Sequence, residues 1–536
     1  MVTLPAREIA RKEESGPLTA EGLLRRRARQ RPGATALTDP LNREALGLGR
    51  PRSLSYGEAD GAVDALASYF IDVGLAPGDR IAVQLPNVAE HALVLLTAWR
   101  AGLTVVELPM LWRGAEIAMV CAEGAPLALI GVASFAGEAR AEDLCRIAAA
   151  QLAVRFVLGF GEGLPDGVAP LDEVVEAGRR GSSTPVARTI IATVALVTFT
   201  ARAGQHFVPV LRTEEELLAQ GAMTVMVLGL DRGDVILNPY PLTGQAGLSL
   251  GLAPWLISGA ALALHQPFDY EAFVRQLLDM GATVTALPAP TRAELARDGV
   301  LQRPQCRLRR LGCVWSAAHL AETAPAPAAA LASYFDLYPL GDVGSLVLRR
   351  GLRADPSELP LGPVHLSDDA DGAVFVETKL GAHIVGASSE LLLRGPVVSQ
   401  GQAGGPLAPD EDGFVGTGLR AVSGFDGPGL RLKRDPELIQ HGGCAVAASE
   451  LDALYQRFPG FLDAACFTLP DPVIGDRIFA AIVPRPDAAM SLDALHAFLA
   501  AHETAPYKFP DRLLVVRQIP RDAQGHVLRE EMLRQV

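Results

Sequence analysis

The sequence predicts an α/β protein of at least two domains, and three observations lead to that fold class. The chain has 536 residues, more than a single hydrophobic core normally serves. Short apolar runs alternate with segments of helical periodicity through most of its length, which is typical of strands joined by helical crossovers. That alternation gives way to short strands between Gly and Pro clusters and then restarts on a smaller scale near the carboxyl end.

The first α/β segment runs from about residue 54 to residue 130. A helical pattern in GEADGAVDALASYFIDVG ends at Gly74, a residue type suited to closing a helix. The turn APGD and the strand pattern RIAVQLPN follow, and then a second helix, AEHALVLLTAWRAG, precedes the strand LTVVELP. Because strands that are separated by helices usually pair in parallel, this order predicts a parallel sheet.

The same alternation returns between about residues 194 and 320. Strands are predicted at ATVALVTF and DVILNPYP, and a helix at EEELLAQGAMTVMVLG. From residue 364 to residue 430 the strands are short and separated by Gly and Pro, which predicts a small β-rich subdomain. The turn FDGPG at Phe425–Gly429 is suited to act as a hinge.

A smaller α/β unit follows that turn. Its predicted elements are the helix SELDALYQRF, the strands DAACFTLP and RIFAAIVP, and the helix SLDALHAFLAAH. A domain boundary is therefore predicted near residue 430, with residues 1–429 forming the N-terminal domain and residues 430–536 the C-terminal domain.

Charge and cysteine content exclude several classes of partner. The chain has 48 Lys and Arg against 61 Asp and Glu, and a net charge of −13 argues against nucleic acid or an anionic membrane as the main partner. The six cysteines show no CxxC pair and no metal-ligand spacing with His, which predicts reduced thiols of a cytoplasmic protein and no metal site. A basic run is interpreted as a solvated helix face and consists of Arg25, Arg26, Arg27, Arg29 and Arg31.

Two further features bear on membranes. The N-terminal MVTLPAREIARKEES has no apolar core, so no signal peptide is predicted. The longest stretch without Asp, Glu, Lys or Arg runs from Val235 to Phe268, but Pro and Gly interrupt it. A helix in lipid would leave backbone groups unsatisfied at those positions, so this stretch is predicted to be buried core and not a membrane span.

Two regions carry a more specific signal. Residues 54–131 contain LSYGEAD, APGDRIAVQLPN and LPMLWRGAEIAMVCAEGAPLALI, and residues 430–536 contain HGG, LPDPVIGDRIFAAIVPRP, APYKFP and IPRDAQGHVLREEML. In order and spacing these motifs resemble the adenylate-forming (ANL) superfamily of AMP-forming acyl-CoA synthetases, peptide-synthetase adenylation domains and luciferases. The resemblance implies a large N-terminal domain of two α/β layers plus a β-rich subdomain, and a small, mobile α+β C-terminal domain.

The resemblance also implies that ATP, Mg²⁺ and CoA would be the cofactors. The family's phosphate loop follows a strand and ends in Pro-Lys-Gly. The matching segment begins at Thr200, keeps one glycine at Gly204 and has Val208 at the Lys position. Because bulky side chains stand where backbone must approach phosphate closely, the segment is predicted not to cradle phosphate. Arg202 and His206 are the nearby side chains that could supply charge.

Other nucleotide positions of the family are altered as well. The family motif Tyr-Gly-x-Thr-Glu contacts phosphate through its Thr and helps to hold Mg²⁺ through its Glu. Here the motif begins at Tyr338, Gly341 replaces the Thr and Asp342 replaces the Glu. The ribose-binding Asp, which follows a Thr-Gly pair at Thr417, is replaced by Leu419. A leucine cannot accept hydrogen bonds from ribose, so these departures from the family pattern argue against ATP and Mg²⁺ as cofactors of this chain.

The C-terminal motifs are partly retained. The family's C-terminal domain brings a Lys to the reacting phosphate, and His526 occupies that position, where an imidazole is shorter and mostly neutral near pH 7. Arg434 matches the Arg that faces ribose or phosphate near the hinge. His441, Gly442 and Gly443 match the turn that lines the pantetheine path of CoA ligases.

These departures lead to three functional hypotheses. Loss of one preorganised donor commonly lowers a rate by about 10²–10³, and several such groups are replaced here. The favoured hypothesis is a degenerate acid–CoA ligase homologue that does not adenylate carboxylates and binds an acyl or aryl acid, a CoA thioester, a protein partner or a second copy of the chain. Two alternatives stay open, an active acyl- or aryl-CoA synthetase with atypical catalytic residues and a transferase acting on a preformed acyl-adenylate or thioester. The APYK turn at Tyr507–Lys508 is expected to be structural.

Overall fold

The computed structural model of the chain has the predicted α/β class. It describes residues 18–181, 185–186, 192–315, 333–350, 358–365, 374–381, 388–399, 401, 405, 407–423, 429–471, 474–486 and 491–534. The predicted hinge at Phe425–Gly429 lies outside the described residues except for Gly429.

The described strands follow the predicted order of apolar runs. In chain order they are β1 (Thr35–Thr38), β2 (Ser53–Ser55), β3 (Arg80–Val83), β4 (Thr104–Glu107), β5 (Ala128–Val132), β6 (Ser134–Phe135), β7 (Glu138–Ala139), β8 (Phe156–Phe160), β9 (Val168–Pro170), β10 (Leu196–Arg202), β11 (Gln205–Arg212), β12 (Val235–Asn238), β13 (Ala261–Leu264), β14 (Val284–Pro288), β15 (Arg310–Val314), β16 (Ser333–Leu340), β17 (Gly344–Arg349), β18 (Glu358–Pro360), β19 (Gly362–His365), β20 (Val374–Leu380), β21 (Ser389–Arg394), β22 (Val415–Ser423), β23 (Gly429–Lys433), β24 (Leu438–His441), β25 (Cys444–Ala447), β26 (Phe461–Asp471), β27 (Gly475–Pro484) and β28 (Arg512–Val515).

The described helices lie between these strands, as the alternating pattern predicts. They are α1 (Ala20–Gln30), α2 (Tyr56–Asp72), α3 (Ala89–Arg100), α4 (Gly114–Gly124), α5 (Arg140–Ala150), α6 (Asp172–Arg179), α7 (Glu214–Leu228), α8 (Gln245–Gly247), α9 (Ala253–Ser258), α10 (Tyr270–Asp279), α11 (Ala289–Arg297), α12 (Ala448–Gln456), α13 (Leu492–Ala501) and α14 (Arg529–Leu533). Shorter helical turns occupy Glu44–Leu46, Leu248–Leu252, Val300–Gln302 and Pro506–Lys508.

Two mostly parallel sheets form the larger part of the molecule. The first has the strand order β11-β10-β4-β3-β5-β8-β9, and the second has the order β17-β16-β15-β14-β12-β13-β1-β2. Antiparallel pairs occur at their ends, between β10 and β11, β16 and β17, and β1 and β2. Every residue of α3 is buried, and one apolar core includes side chains of both sheets. The predicted parallel sheets and the two α/β layers are confirmed.

A third sheet and a fourth sheet complete the fold. The third has the order β18-β23-β22-β21-β20-β19 and is antiparallel, which agrees with the predicted β-rich subdomain. The fourth joins β25-β24-β27-β26, with β28 beside β27. The strand β23 belongs to the third sheet, so the chain enters the fourth sheet after Lys433. The division near residue 430 stays a prediction.

The interpretation of the basic run as a solvated helix face is wrong for two of its members. Arg25 donates from Nη2 to Asp64 Oδ1 at 2.9 Å, and Arg27 donates from Nη2 to the carbonyl oxygen of Ile257 at 2.5 Å. These contacts arise because α1 packs on α2, α3 and α9, which brings its arginines against neighbouring helices.

The stretch from Val235 to Phe268 is core, as predicted. It supplies β12, α8, α9 and β13, and most of its residues are buried. Among the described helices, none combines the length and the apolar character needed to cross a membrane. The six cysteines carry free thiols, and those of Cys121, Cys313 and Cys466 are buried.

The C-terminal unit is docked on the N-terminal sheets through a buried cation. Lys508 of the APYK turn is 3% exposed, and its Nζ lies 2.7 Å from Glu116 Oε1 of α4 and 2.6 Å from Glu450 Oε1 of α12. The N–H of Ala505 donates to the same Glu116 oxygen at 3.1 Å. Around this group, apolar side chains from both units share one core. The turn therefore ties the two units together.

We expect Lys508→Met to loosen this docking. Removing the ammonium leaves two carboxylates without their cation, and breaking a buried pair typically costs about 3–5 kcal/mol. Amide hydrogen exchange in α4 and α12 should accelerate, and the thermal transition should move to lower temperature. Lys379→Met, at an exposed ion pair with Asp412, is the matched control and should change neither measurement. Unchanged exchange in α4 of the Lys508 variant would contradict the assignment.

Candidate functional site

The segment expected to be a degenerate phosphate loop is an antiparallel hairpin, so the expectation of a loop was wrong. Strand β10 ends at Arg202 and β11 begins at Gln205. Thr200 pairs with Val208 across the hairpin, and Gly204, with φ of 74°, lies in the two-residue turn. The alternation of β-branched and apolar residues after the turn favours strand over loop. The backbone of this segment, which would have to donate to a phosphate, is therefore paired between β10 and β11.

Arg202 reaches from this hairpin to the antiparallel sheet. Its Nη2 donates to Glu390 Oε1 of β21 at 2.7 Å, and the N–H of Gly418 donates to the same oxygen at 2.8 Å. A Cβ placed on Gly418 would lie 3.3 Å from Cγ of Arg202, so the arginine stem lies against the Thr-Gly pair of β22. The ion pair between Arg202 and Glu390 thus connects the segment expected to bind phosphate with the segment expected to bind ribose.

Gly341 makes a second close contact with the same strand. Its φ is 60°, and a Cβ at this position would lie 1.9 Å from the carbonyl oxygen of Thr417. Thr417 is buried, and its hydroxyl donates to the carbonyl oxygen of Leu391 at 2.8 Å and accepts from the N–H of Leu419 at 3.1 Å. The Thr of the family motif would not fit at position 341 unless β22 moved.

Asp342 makes two described hydrogen bonds within the N-terminal unit. The N–H of Gln245 donates to its Oδ1 at 3.4 Å, and the buried guanidinium of Arg212 donates to its backbone oxygen. Burial raises the pKa of the Asp342 carboxyl, while the positive charge of Arg212 acts in the opposite direction. Tyr338, which opens the motif, is 2% exposed and packs in the N-terminal core. In the part of the chain that the structure describes, no group of three His, Cys, Asp or Glu side chains is arranged to hold a metal ion.

The retained C-terminal motif residues lie together around Asp476. Arg434 forms an ion pair with Asp476, and Nδ1 of His441 lies 2.6 Å from the Asp476 carbonyl oxygen. Gly442 and Gly443 form the turn between β24 and β25 with φ of 58° and 83°. No described atom lies within 4 Å of where a Cβ would stand on either glycine, so this turn faces open space.

Leu419 and Arg434 lie beside the same narrow cleft. Its cavity has a volume of about 10 Å³ and is lined by Leu419, Arg420, Lys433, Arg434, Asp435, Leu438, Gln440 and Asp476. A single water needs about 10–15 Å³ on this measure. The cavity beside Leu419 and Arg434 therefore has room for about one water molecule.

Sequence reasoning missed the aromatic contact that holds the hairpin against the C-terminal unit. The ring of Phe207 lies 4.8 Å from that of Trp112 and 4.9 Å below Nζ of Lys508. Strand β25 contacts both strands of the hairpin. Burial raises the pKa of Cys444 at the start of β25 to about 12, and the nearby Asp342 charge acts in the same direction. That thiol therefore stays protonated at neutral pH.

His526 lies in an exposed turn. Its side chain is 79% exposed, its N–H donates to Asp522 Oδ1 at 2.8 Å, and its Nδ1 lies 3.1 Å from Asp522 Oδ2. The structure therefore does not bring His526 together with Thr200, Asp342 or Thr417. Its catalytic role stays a prediction.

Comparisons with known proteins agree with the fold. The family model described as AMP-binding enzyme matches residues 24–338. The chain is 27% identical over 497 residues to a salicylyl-CoA synthase / salicylate adenylyltransferase of Streptomyces sp, covering 88% of this chain and 87% of that protein. It is 26% identical over 523 residues to the medium-chain fatty-acid–CoA ligase of Escherichia coli K12, with 90% and 87% covered.

Solved structures show the same architecture. The apo structure of Mycobacterium smegmatis MbtA matches with a TM-score of 0.61 and 24% identity, covering 99% of this chain and 97% of that one. The amide bond synthetase McbA from Marinactinospora thermotolerans matches with a TM-score of 0.76 and 18% identity, covering 96% and 99%. The two-layer fold with its smaller C-terminal unit is therefore shared with these proteins.

We expect Gly341→Thr to destabilise the N-terminal unit by about 2 kcal/mol or more, because a side chain there meets both an unfavourable φ and the Thr417 carbonyl. Gly204→Thr meets only the unfavourable φ and should cost about 1 kcal/mol. Gly244→Thr has φ of −128° and open space around it, so it should be nearly neutral. Urea unfolding midpoints rank the three variants, and equal midpoints would contradict the close contact.

His441 should make the fold sensitive to acid. Burial lowers the pKa of its imidazole from the ordinary 6.5. As pH falls below about 6.5, the unfolded chain binds a proton that the folded chain does not, so stability is lost. His441→Gln, which can still donate to the Asp476 carbonyl, should flatten the fall of the unfolding temperature between about pH 7 and pH 5. His526→Gln, at an exposed side chain, is the control. Parallel curves for wild type and His441→Gln would contradict this assignment.

Proposed function

The chain belongs to the AMP-binding enzyme family, and from that premise we propose that it is a member that does not adenylate carboxylates and instead binds an acyl, aryl or CoA-type ligand. The single observation that carries this proposal is the ion pair between Arg202 and Glu390. It stands where the resemblance would place the phosphates and ribose of ATP.

Electrostatics supports the loss of ATP. Arg202 alone would attract phosphate, but Glu390 already accepts from it and would lie beside any phosphate that entered. Two unit charges 4 Å apart interact by about 4 kcal/mol at the effective dielectric of a protein surface, and here the interaction with phosphate would be repulsive. Leu419, which cannot accept hydrogen bonds, removes the ribose contacts as well.

The position that would hold Mg²⁺ in the family is also unsuited to its ion, for electrostatic reasons. The family's acidic residue corresponds to Asp342, whose backbone oxygen accepts from the buried guanidinium of Arg212. A divalent cation beside the Asp342 carboxylate would be repelled by that nearby positive charge. The residues present do not fit Mg·ATP in this arrangement.

The C-terminal turn at His441–Gly443 and the named relatives support binding of an acyl, aryl or CoA-type ligand. The His441–Gly443 turn is held by Asp476 and its two glycines are exposed, so a ligand can approach its backbone. The relatives are named as ligases of aryl and acyl acids with CoA, which supports a ligand of that class. A cytoplasmic location, a protein partner and a homodimer stay predictions.

The proposal predicts that Mg·ATP does not stabilise the protein whereas CoA or an acyl-CoA does. A ligand that binds only the folded state at 100 times its Kd adds about 2.7 kcal/mol, which thermal unfolding detects readily. The same assay mixtures, with a panel of aryl and medium-chain acids, should release no pyrophosphate. Stabilisation by Mg·ATP together with pyrophosphate release would overturn the proposal and favour the active synthetase. Thioester formation from a supplied acyl-adenylate and CoA would favour the transferase.

A paired variant sharpens this test. Glu390→Gln with Leu419→Asp removes the carboxylate that would repel phosphate, leaves Arg202 to attract it and supplies a carboxylate that can accept from ribose, so Mg·ATP stabilisation should appear. Glu358→Gln with Leu361→Asp makes the same chemical changes at the outer edge of the antiparallel sheet and should not respond to Mg·ATP. Equal behaviour of both variants would show that the ion pair is not what excludes the nucleotide.

A further inference from the structure

A cavity opens at the edge of the second parallel sheet where β12 and β13 begin. Its volume is about 310 Å³, and it is lined by Arg27, Gln30, Arg31, Tyr56, Arg232 and Gly259. Arg232 and Gly259 lie just before β12 and β13, whereas Gly341 and Asp342 follow the carboxyl end of β16 in the same sheet. Because β12, β13 and β16 run in parallel, the cavity and the candidate functional site lie at opposite ends of the strands of this sheet.

Three arginines converge on this cavity. Arg27 and Arg31 are four residues apart at the end of α1, so they lie on one face of the helix. The guanidinium of Arg31 donates from Nη1 to the carbonyl oxygen of Arg232 at 3.2 Å, which brings the loop before β12 against α1. In the described parts of the chain, no carboxylate forms an ion pair with Arg31 or Arg232. Positive charge is therefore gathered here in a protein whose net charge is −13.

The three arginines differ in how many of their donors are used within the fold. Arg27 donates from Nη2 to the carbonyl oxygen of Ile257, near the carboxyl end of α9, where a helix carries partial negative charge. That contact uses part of its charge within the fold. Arg31 keeps donors beyond the one that contacts Arg232, and the side chain of Arg232 is exposed at the cavity. These two guanidinium groups are therefore the ones that remain for a ligand.

The cavity has a rigid floor. Tyr56 is 1% exposed, its hydroxyl donates to the carbonyl oxygen of Ala260 at 2.6 Å, and its ring stacks on that of Trp255. Gly259 has φ of 73° and ends α9, and a Cβ there would lie 3.0 Å from Nε of Arg27. A site built on such fixed groups loses little conformational entropy when a ligand binds.

We propose that this cavity binds a small molecule through its phosphate or diphosphate group, at a site separate from the acyl and CoA region. Guanidinium groups bind such oxyanions with paired, charge-assisted hydrogen bonds. More than one guanidinium favours an anion with two or more charges over a monocarboxylate. The volume lies at the lower end of the range for small-molecule sites, about 300–1,000 Å³. The inference does not depend on the function proposed above, and because ATP and CoA also carry such groups, their effects through the two sites are separated with the Arg31→Gln, Arg232→Gln variant.

Calorimetry with inorganic pyrophosphate, without divalent metal and at low ionic strength, tests this site. Wild type should bind, and Arg31→Gln with Arg232→Gln should bind at least about tenfold more weakly, because two charge-assisted contacts are lost. Arg29→Gln with Arg180→Gln removes the same charge from exposed positions and should bind as wild type does. Absence of binding to wild type, or equal binding by both double variants, would overturn the proposal. Equal binding would place the anion elsewhere on the chain, including at the β10–β11 hairpin.

A second measurement needs no variant. Phenylglyoxal modifies accessible arginines, and pyrophosphate should slow the modification of Arg31 and Arg232 while that of Arg29 continues unchanged. Peptide mass spectrometry reads each site separately. Equal modification rates at Arg31 with and without pyrophosphate would overturn the proposal even if a double variant failed to fold.

Discussion

The ion pair between Arg202 and Glu390 sets the geometry of the candidate site. Because the same carboxylate oxygen accepts from Gly418, the pair holds the Thr-Gly segment of β22 against the β10–β11 hairpin. Thr417 then directs its carbonyl at position 341, where only a glycine fits. Both charged side chains are partly exposed, so the pair is modest in energy, and its importance lies in the space that it fills.

The docking of the C-terminal unit rests on a different kind of contact. Lys508 is buried between Glu116 and Glu450, and the cost of separating such groups far exceeds that of opening an exposed pair. The Phe207 ring below the same ammonium links the docking to the hairpin.

Much of the fold, but little of the site, could be predicted from the sequence. Helices such as Ala448–Gln456 and Leu492–Ala501 were predicted because amphipathic periodicity is local. The hairpin at Ala203–Gly204 was missed because the resemblance favoured a loop over the strand pattern that follows Gly204. The pairs Lys508–Glu116 and Arg202–Glu390 join residues 392 and 188 positions apart, and no local pattern encodes such distances.

In the second parallel sheet, the charged groups at the carboxyl ends of the strands differ from those at the amino ends. Where β16 ends, the backbone oxygen of Asp342 accepts from the buried guanidinium of Arg212. Where β12 and β13 begin, Arg31 and Arg232 gather positive charge around open volume. Strand β12 spans about 13 Å, and β15 and β14 lie between it and β16, so the sheet itself separates the two groups. The proposed oxyanion site therefore lies where the strands of this sheet begin, whereas the family resemblance implies a phosphate site where they end. Rigid strands connect the two ends, so a bound anion could affect packing at the other end only through the sheet.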